Sequence, residues 1–124
     1  MARFGDGDDG LTIAVAHLSL GATSRHSQLA FIAELLHGQR HAVLMGDFNC
    51  THDRPEMQTL YRRTQLQPPT CHVPTFPSWG PRKAIDHILV SDTIGIANLR
   101  AMPAAHSDHL ALSVELDVPA SALR

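Results

Sequence analysis

A mixed α/β (α+β) fold is predicted by three observations. Short β-compatible apolar runs are interspersed with a segment of helical spacing, and clusters of Gly, Pro and Asp punctuate them. The 124 residues suffice for one domain, and 44% hydrophobic residues suffice for a packed core. We expect about five strands and two helices.

The chain opens with a Gly/Asp cluster, Gly5 to Gly10, read as a tight turn within a flexible start over residues 1–10. The apolar run Leu11 to Leu20 then reads as a buried strand. From Ser24 to His37, Leu29, Ile32, Leu35 and Leu36 recur at helical spacing, with Ser24 as the expected cap and Gly38 as the stop. His41 to Met45 is a short strand running into Gly46-Asp47-Phe48-Asn49, and Pro55 starts a short helix over Glu56 to Arg63. Residues Gln67 to Arg82 contain five prolines and form a loop. Ala84 to Ser91, Ile94 to Ala101 and Leu110 to Val118 are strands, the last alternating with Leu110, Leu112, Val114 and Leu116 on one face. Residues 11–118 make up the domain and 119–124 a tail.

A formal charge of -2 gives no long-range field for holding polyanions, so any nucleic-acid contact must be local. No apolar run is long enough to span a bilayer, and the N-terminus lacks the pattern of a secretory signal. Two cysteines are too few for a disulfide scaffold, which points to reduced thiols and a cytoplasmic location. Nine histidines are the compositional excess. Imidazole is the side chain most suited to proton transfer and metal ligation near neutral pH.

The chemistry-bearing residues fall at strand ends, where a rigid sheet fixes geometry. His17 lies within an otherwise apolar strand, Asp47 and Asn49 follow the next, Asp86 lies in Ile85-Asp86-His87-Ile88, and Ser107-Asp108-His109 precedes the last strand. Each has an ordinary explanation: a lone strand histidine is commonly a hydrogen-bonded core residue, and Gly-Asp-x-Asn commonly makes an Asx turn. Asp86 resists such a reading, because a carboxylate flanked by apolar strand residues needs a cationic or imidazole partner.

Taken in order, Ala16-His17-Leu18, Gly46-Asp47-Phe48-Asn49, Ile85-Asp86-His87-Ile88 and Ser107-Asp108-His109 resemble the endonuclease/exonuclease/phosphatase superfamily of metal-dependent phosphoesterases. Pro74-Thr75-Phe76-Pro77-Ser78-Trp79 is similar to bacterial members. The resemblance runs from Leu11 to Val118. It implies that Asp47 orients and deprotonates the attacking water, while Asn49 binds the scissile phosphate or helps place metal. Asp86 would fix the tautomer of His109, which donates to a phosphoryl oxygen, and His17 would serve as acid near the leaving group. Asp108, with Asn49, would ligate Mg²⁺ or Mn²⁺, and Trp79, Arg82 and Lys83 would line the groove for a phosphate-ester substrate, nucleic acid included, with Trp79 stacking and Arg82 pairing a phosphate.

The superfamily's first-strand asparagine and second-strand glutamate have no counterpart here, since Glu34, Glu56 and Glu115 lack the required context. The resemblance therefore implies half of a four-layer α/β/β/α sandwich, with a bare apolar face that favours self-association or pairing with an N-terminal half. Two other readings stay open. One is a non-catalytic module binding phosphate or a partner; the other is a zinc protein using Cys50, His52, Cys71 and His72.

Overall fold

The computed structural model describes residues 1–103 and 105–124. Its elements in chain order are β1 (Ala2–Phe4), β2 (Leu11–His17), α1 (Ala22–Leu36), β3 (His41–Asp47), α2 (Met57–Arg63), β4 (Asp86–Val90), β5 (Gly95–Met102) and β6 (Ala111–Asp117), followed by a 3-10 turn at Ala120–Leu123. The first four strands form one sheet in the order β1-β2-β3-β4, and β5 and β6 form a separate hairpin. β2 and β3 run parallel, joined by α1, whereas β1 and β4 are antiparallel to their neighbours.

Alternation along the sheet sends side chains to two different layers. On one face Ala42, Leu44, Phe48 and Leu89 meet Leu29, Ala33 and Leu36 of α1 and Met57 and Leu60 of α2. Burying each leucine there stabilises the fold by roughly 1.5–3 kcal/mol. On the other face Leu11, Val43, Ile88 and Val90 meet Leu99 of β5 and Leu112, Val114 and Leu116 of β6. The layers are helices, sheet and hairpin. Because the hairpin is only two strands wide, the inner face is covered incompletely, and Val15 remains 72% exposed.

Several local expectations are corrected. The start is not only a turn, for Ala2–Phe4 pairs with Leu11–Ile13, and the Asp6 amide donates to the Arg124 carbonyl. Helix α1 begins at Ala22 after Gly21 with no side-chain cap, so Ser24 lies inside it. Its buried stripe runs through Arg25, Leu29, Ala33 and Leu36, which leaves Leu35 exposed. Glu56 is the N-cap of α2 rather than its first turn. Gly38, at φ +78°, does follow the end of α1 in the left-handed conformation that favours glycine.

Gly46 sets how closely the strands approach beside the site. Its φ is +143°, and an added Cβ would lie 1.8 Å from the Ala16 carbonyl oxygen. Only glycine fits there, and the residue after it is Asp47.

Candidate active site

Strand register brings His17, Asp47 and Asp86 into one row. His17 pairs with Asp47 across β2 and β3, and Asp47 pairs with Asp86 across β3 and β4. His17 lies two residues beyond Val15, Asp47 two beyond Met45 and Asp86 two before Ile88, so all three share the inner face.

His109 arrives from the loop before β6, whose ends are tied down by backbone bonds. Leu110 donates to the Thr75 carbonyl at 2.8 Å, and Ser78 donates to the Asp108 carbonyl at 2.7 Å. The His109 ring packs on Phe76 with centroids 4.9 Å apart. Its Nδ1–H donates to Asp86 Oδ2 at 2.7 Å, which directs Nε2 toward Asp47 Oδ2, 3.6 Å away. His17 Nε2 approaches the same Asp47 oxygen at 3.5 Å from the opposite flank. One carboxylate is therefore bracketed by two imidazoles.

Burial opposes the charged form of His109, but the hydrogen bond and charge of Asp86, aided by Asp47 and Asp108, outweigh it and raise the imidazole's pKa. Asp86 also accepts from the fully buried Thr75 hydroxyl, so its side chain is fixed from two directions. Asp47 Oδ1 accepts from the Asn49 amide at 2.9 Å, an Asx turn. Asn49 sits at φ +51°, a conformation asparagine tolerates, and its side-chain nitrogen donates to the Leu18 carbonyl at 2.6 Å. The turn and the functional geometry coexist.

A cleft of about 270 Å³ beneath the row is lined by Val15, Met45, Asp47, Asp86, Ile88 and Leu112. A second, of about 300 Å³, has Asn49, Phe76, Lys83, Asp108 and His109 among its lining residues. The structure thus gathers His17, Asp47, Asp86 and His109 around one carboxylate and places Asn49 and Asp108 at the adjoining cavity. Trp79 is 80% exposed, and neither it nor Arg82 lines either cavity; Lys83 does. Thr75 and Phe76 were visible only as part of a Pro-rich motif, without a role. Lys83, grouped with Trp79 and Arg82 on the Pro-rich loop, is the one of the three that lines the second cavity.

Asp47, Asp86 and His109 each offer a ligand-type atom within 4.8 Å of the others. Yet Asp86 Oδ2 is occupied by two donors, and His109 Nδ1 carries the proton it donates. That leaves Asp47 Oδ2, which already faces His17 and His109, and Asp86 Oδ1, while Asp108 lies outside the group; Mg²⁺ is held by oxygens in octahedral geometry, several of them commonly water. Among the described residues the donors do not fit a complete magnesium shell.

The four-residue zinc arrangement is also absent. His52 and His72 come together, with Nε2 atoms 3.2 Å apart, but no cysteine joins them in a ligand group among the described residues. Burial pushes the Cys50 thiol up to about 11, keeping it protonated and a poor ligand.

The Endonuclease/Exonuclease/phosphatase family model matches residues 6–109. The fold is similar to that of a functionally unknown conserved protein from Enterococcus faecalis, with a TM-score of 0.68 at 24% identity, covering 85% of this chain and 49% of that one. It is also similar to a mannosyl-6-phosphatase from Bacteroides thetaiotaomicron, with a TM-score of 0.64 at 20% identity, covering 83% and 49%. An endonuclease/exonuclease/phosphatase from Bacteroides vulgatus gives a TM-score of 0.65 at 20% identity, covering 86% and 48%. No curated protein matches. The chain thus spans about half the length of these structures. With the family model covering most of its length, the chain belongs to the endonuclease/exonuclease/phosphatase family.

Proposed function

We propose that this chain carries the water-activating and phosphate-holding residues of a phosphoester hydrolase whose metal shell requires further oxygen ligands. The observation that carries the reading is the single Asp47 carboxylate bracketed by His17 and the Asp86-bound His109.

Hydrolysis of a phosphate ester needs an aligned water, neutralisation of the phosphoryl oxygens and a proton for the departing oxygen. Asp47 accepts the water's proton and fixes its direction of attack. His109, held as the imidazolium with its Nδ1–H on Asp86, presents Nε2–H to a phosphoryl oxygen. His17, open on the far flank, protonates the leaving group. Asn49 and Asp108 are this chain's contribution toward Mg²⁺ or Mn²⁺, the cofactor the family resemblance implies. Trp79 and Arg82 contact the substrate beyond the phosphate, and Lys83 pairs with the phosphate from the second cavity. The substrate is a phosphate ester, diester or monoester. The fold shared with a mannosyl-6-phosphatase makes a sugar phosphate worth including among the substrates tested.

The test is hydrolysis of an aryl phosphodiester and a hexose 6-phosphate with Mg²⁺ or Mn²⁺, using this chain alone and with the complementary half of a family member. Alone it should turn over weakly or not at all, and complementation should restore activity that Asp47→Ala and His109→Ala each abolish. Robust turnover by the chain alone would overturn the incomplete metal shell. A complemented protein indifferent to both substitutions would overturn the residue assignments.

A further inference from the structure

We propose that His52 and His72 form a second metal site, separate from the Asp47 group, that holds one late first-row transition-metal ion of the zinc class between their Nε2 atoms. The two residues lie on different loops, twenty positions apart, yet their Nε2 atoms are 3.2 Å from each other and their ring centroids 4.5 Å. Two Zn–N bonds of about 2.0–2.1 Å meeting at a tetrahedral angle put their nitrogens about 3.3 Å apart. The spacing is therefore already that of two ligands on one ion.

The surroundings agree with that use. The Tyr61 hydroxyl donates to the His52 carbonyl at 3.1 Å, anchoring the loop that presents this ring. A cavity of about 20 Å³ is lined by both histidines and by Cys71, room for one water or ion. Imidazole nitrogens suit zinc, copper and nickel, whereas magnesium prefers oxygen. Water completes the coordination, since neither cysteine forms a ligand group with the pair.

An ion here would clamp two loops that support the candidate active site. Two residues before His52, the Cys50 carbonyl accepts from His87 at 2.8 Å, adjacent to Asp86. Three residues after His72, Thr75 donates to Asp86. The clamp therefore reaches the Asp86–His109 pair through backbone continuity on both sides.

The site is tested by equilibrium dialysis and calorimetry with Zn²⁺ on metal-free protein, with the histidine ring signals followed by NMR. The expected result is zinc-dependent shifts of the His52 and His72 rings, with His52→Ala and His72→Ala each weakening binding roughly tenfold or more. Asp47→Ala, His109→Ala and Cys71→Ser should keep this binding. No zinc uptake, ring shifts confined to His109, or binding lost on Cys71→Ser but retained in both histidine variants would each overturn the proposal. The wild-type ring signals decide the matter even if a variant fails to fold.

Discussion

The Asp86–His109 hydrogen bond is the contact on which the residue-scale chemistry turns. Its strength raises the His109 pKa against the effect of burial, so the imidazolium persists to higher pH than in a free peptide. A group whose pKa is raised on folding stabilises the native state fully below its unfolded value. That contribution disappears as pH rises through the folded value. Asp86→Asn should therefore lower the His109 midpoint in an NMR titration and remove this increment of stability near and below neutral pH. An unchanged midpoint would show that Asp86 does not govern the ring. If His109 acts as the imidazolium, the pH limit for activity in the complemented protein should move down with it.

Elements set the positions of these residues through two features that carry no chemistry themselves. Gly46 lets β3 lie against β2, since a Cβ there would meet the Ala16 carbonyl at 1.8 Å. Gly46→Ala should cost at least ~2 kcal/mol in chemical denaturation, because backbone on both sides must move. The second feature is a buried ion pair. Arg25 of α1 donates through Nε and a terminal nitrogen to Glu56 Oε1 at 3.1 and 3.0 Å, and through its other nitrogen to the Ser19 and Leu20 carbonyls. It thereby joins α1, the start of α2 and the loop that follows His17. Glu56→Ala leaves a buried guanidinium without its counter-ion and should destabilise the fold by roughly 3–5 kcal/mol in urea titrations. Burial opposes ionisation of Glu56, but backbone and Arg25 hydrogen bonds win and depress its pKa. The stability it supplies is present above the ordinary carboxylate pKa and is lost as pH falls through the depressed value.

For the whole molecule, the hairpin leaves part of the inner sheet face open. On that face Val15 is 72% exposed, Leu20 beyond β2 and Phe31 of α1 add apolar surface at 84% and 62% exposed, and β1 covers the edge of β2 only as far as Ile13. Apolar surface beside an open strand edge favours association. Sedimentation at micromolar concentration should show self-association, or a hydrophobic dye should bind; a strict monomer that binds no dye would refute this expectation. Complementation with the other half of a family domain should suppress both.

The sequence determined the elements whose signals are local. Apolar, β-compatible runs marked β2, β3 and β4, alternation marked β6 and helical spacing marked α1, and the apolar setting of Asp86 demanded the partner that His109 became. Three-residue β1 escaped because a strand so short is defined by its partner, and the Gly/Asp turn beside it was the stronger local signal. Tertiary structure alone decided what depends on distant chain segments meeting. Register aligned His17, Asp47 and Asp86, and the Pro-rich loop delivered Thr75 and Phe76 to Asp86 and His109. Packing also made Arg25 and Glu56 a buried pair and separated the cysteines' ligand roles from two adjoining histidines. Those outcomes depend on distances between residues as far apart as Asp47 and Asp86, 39 positions, which spacing along the chain does not encode.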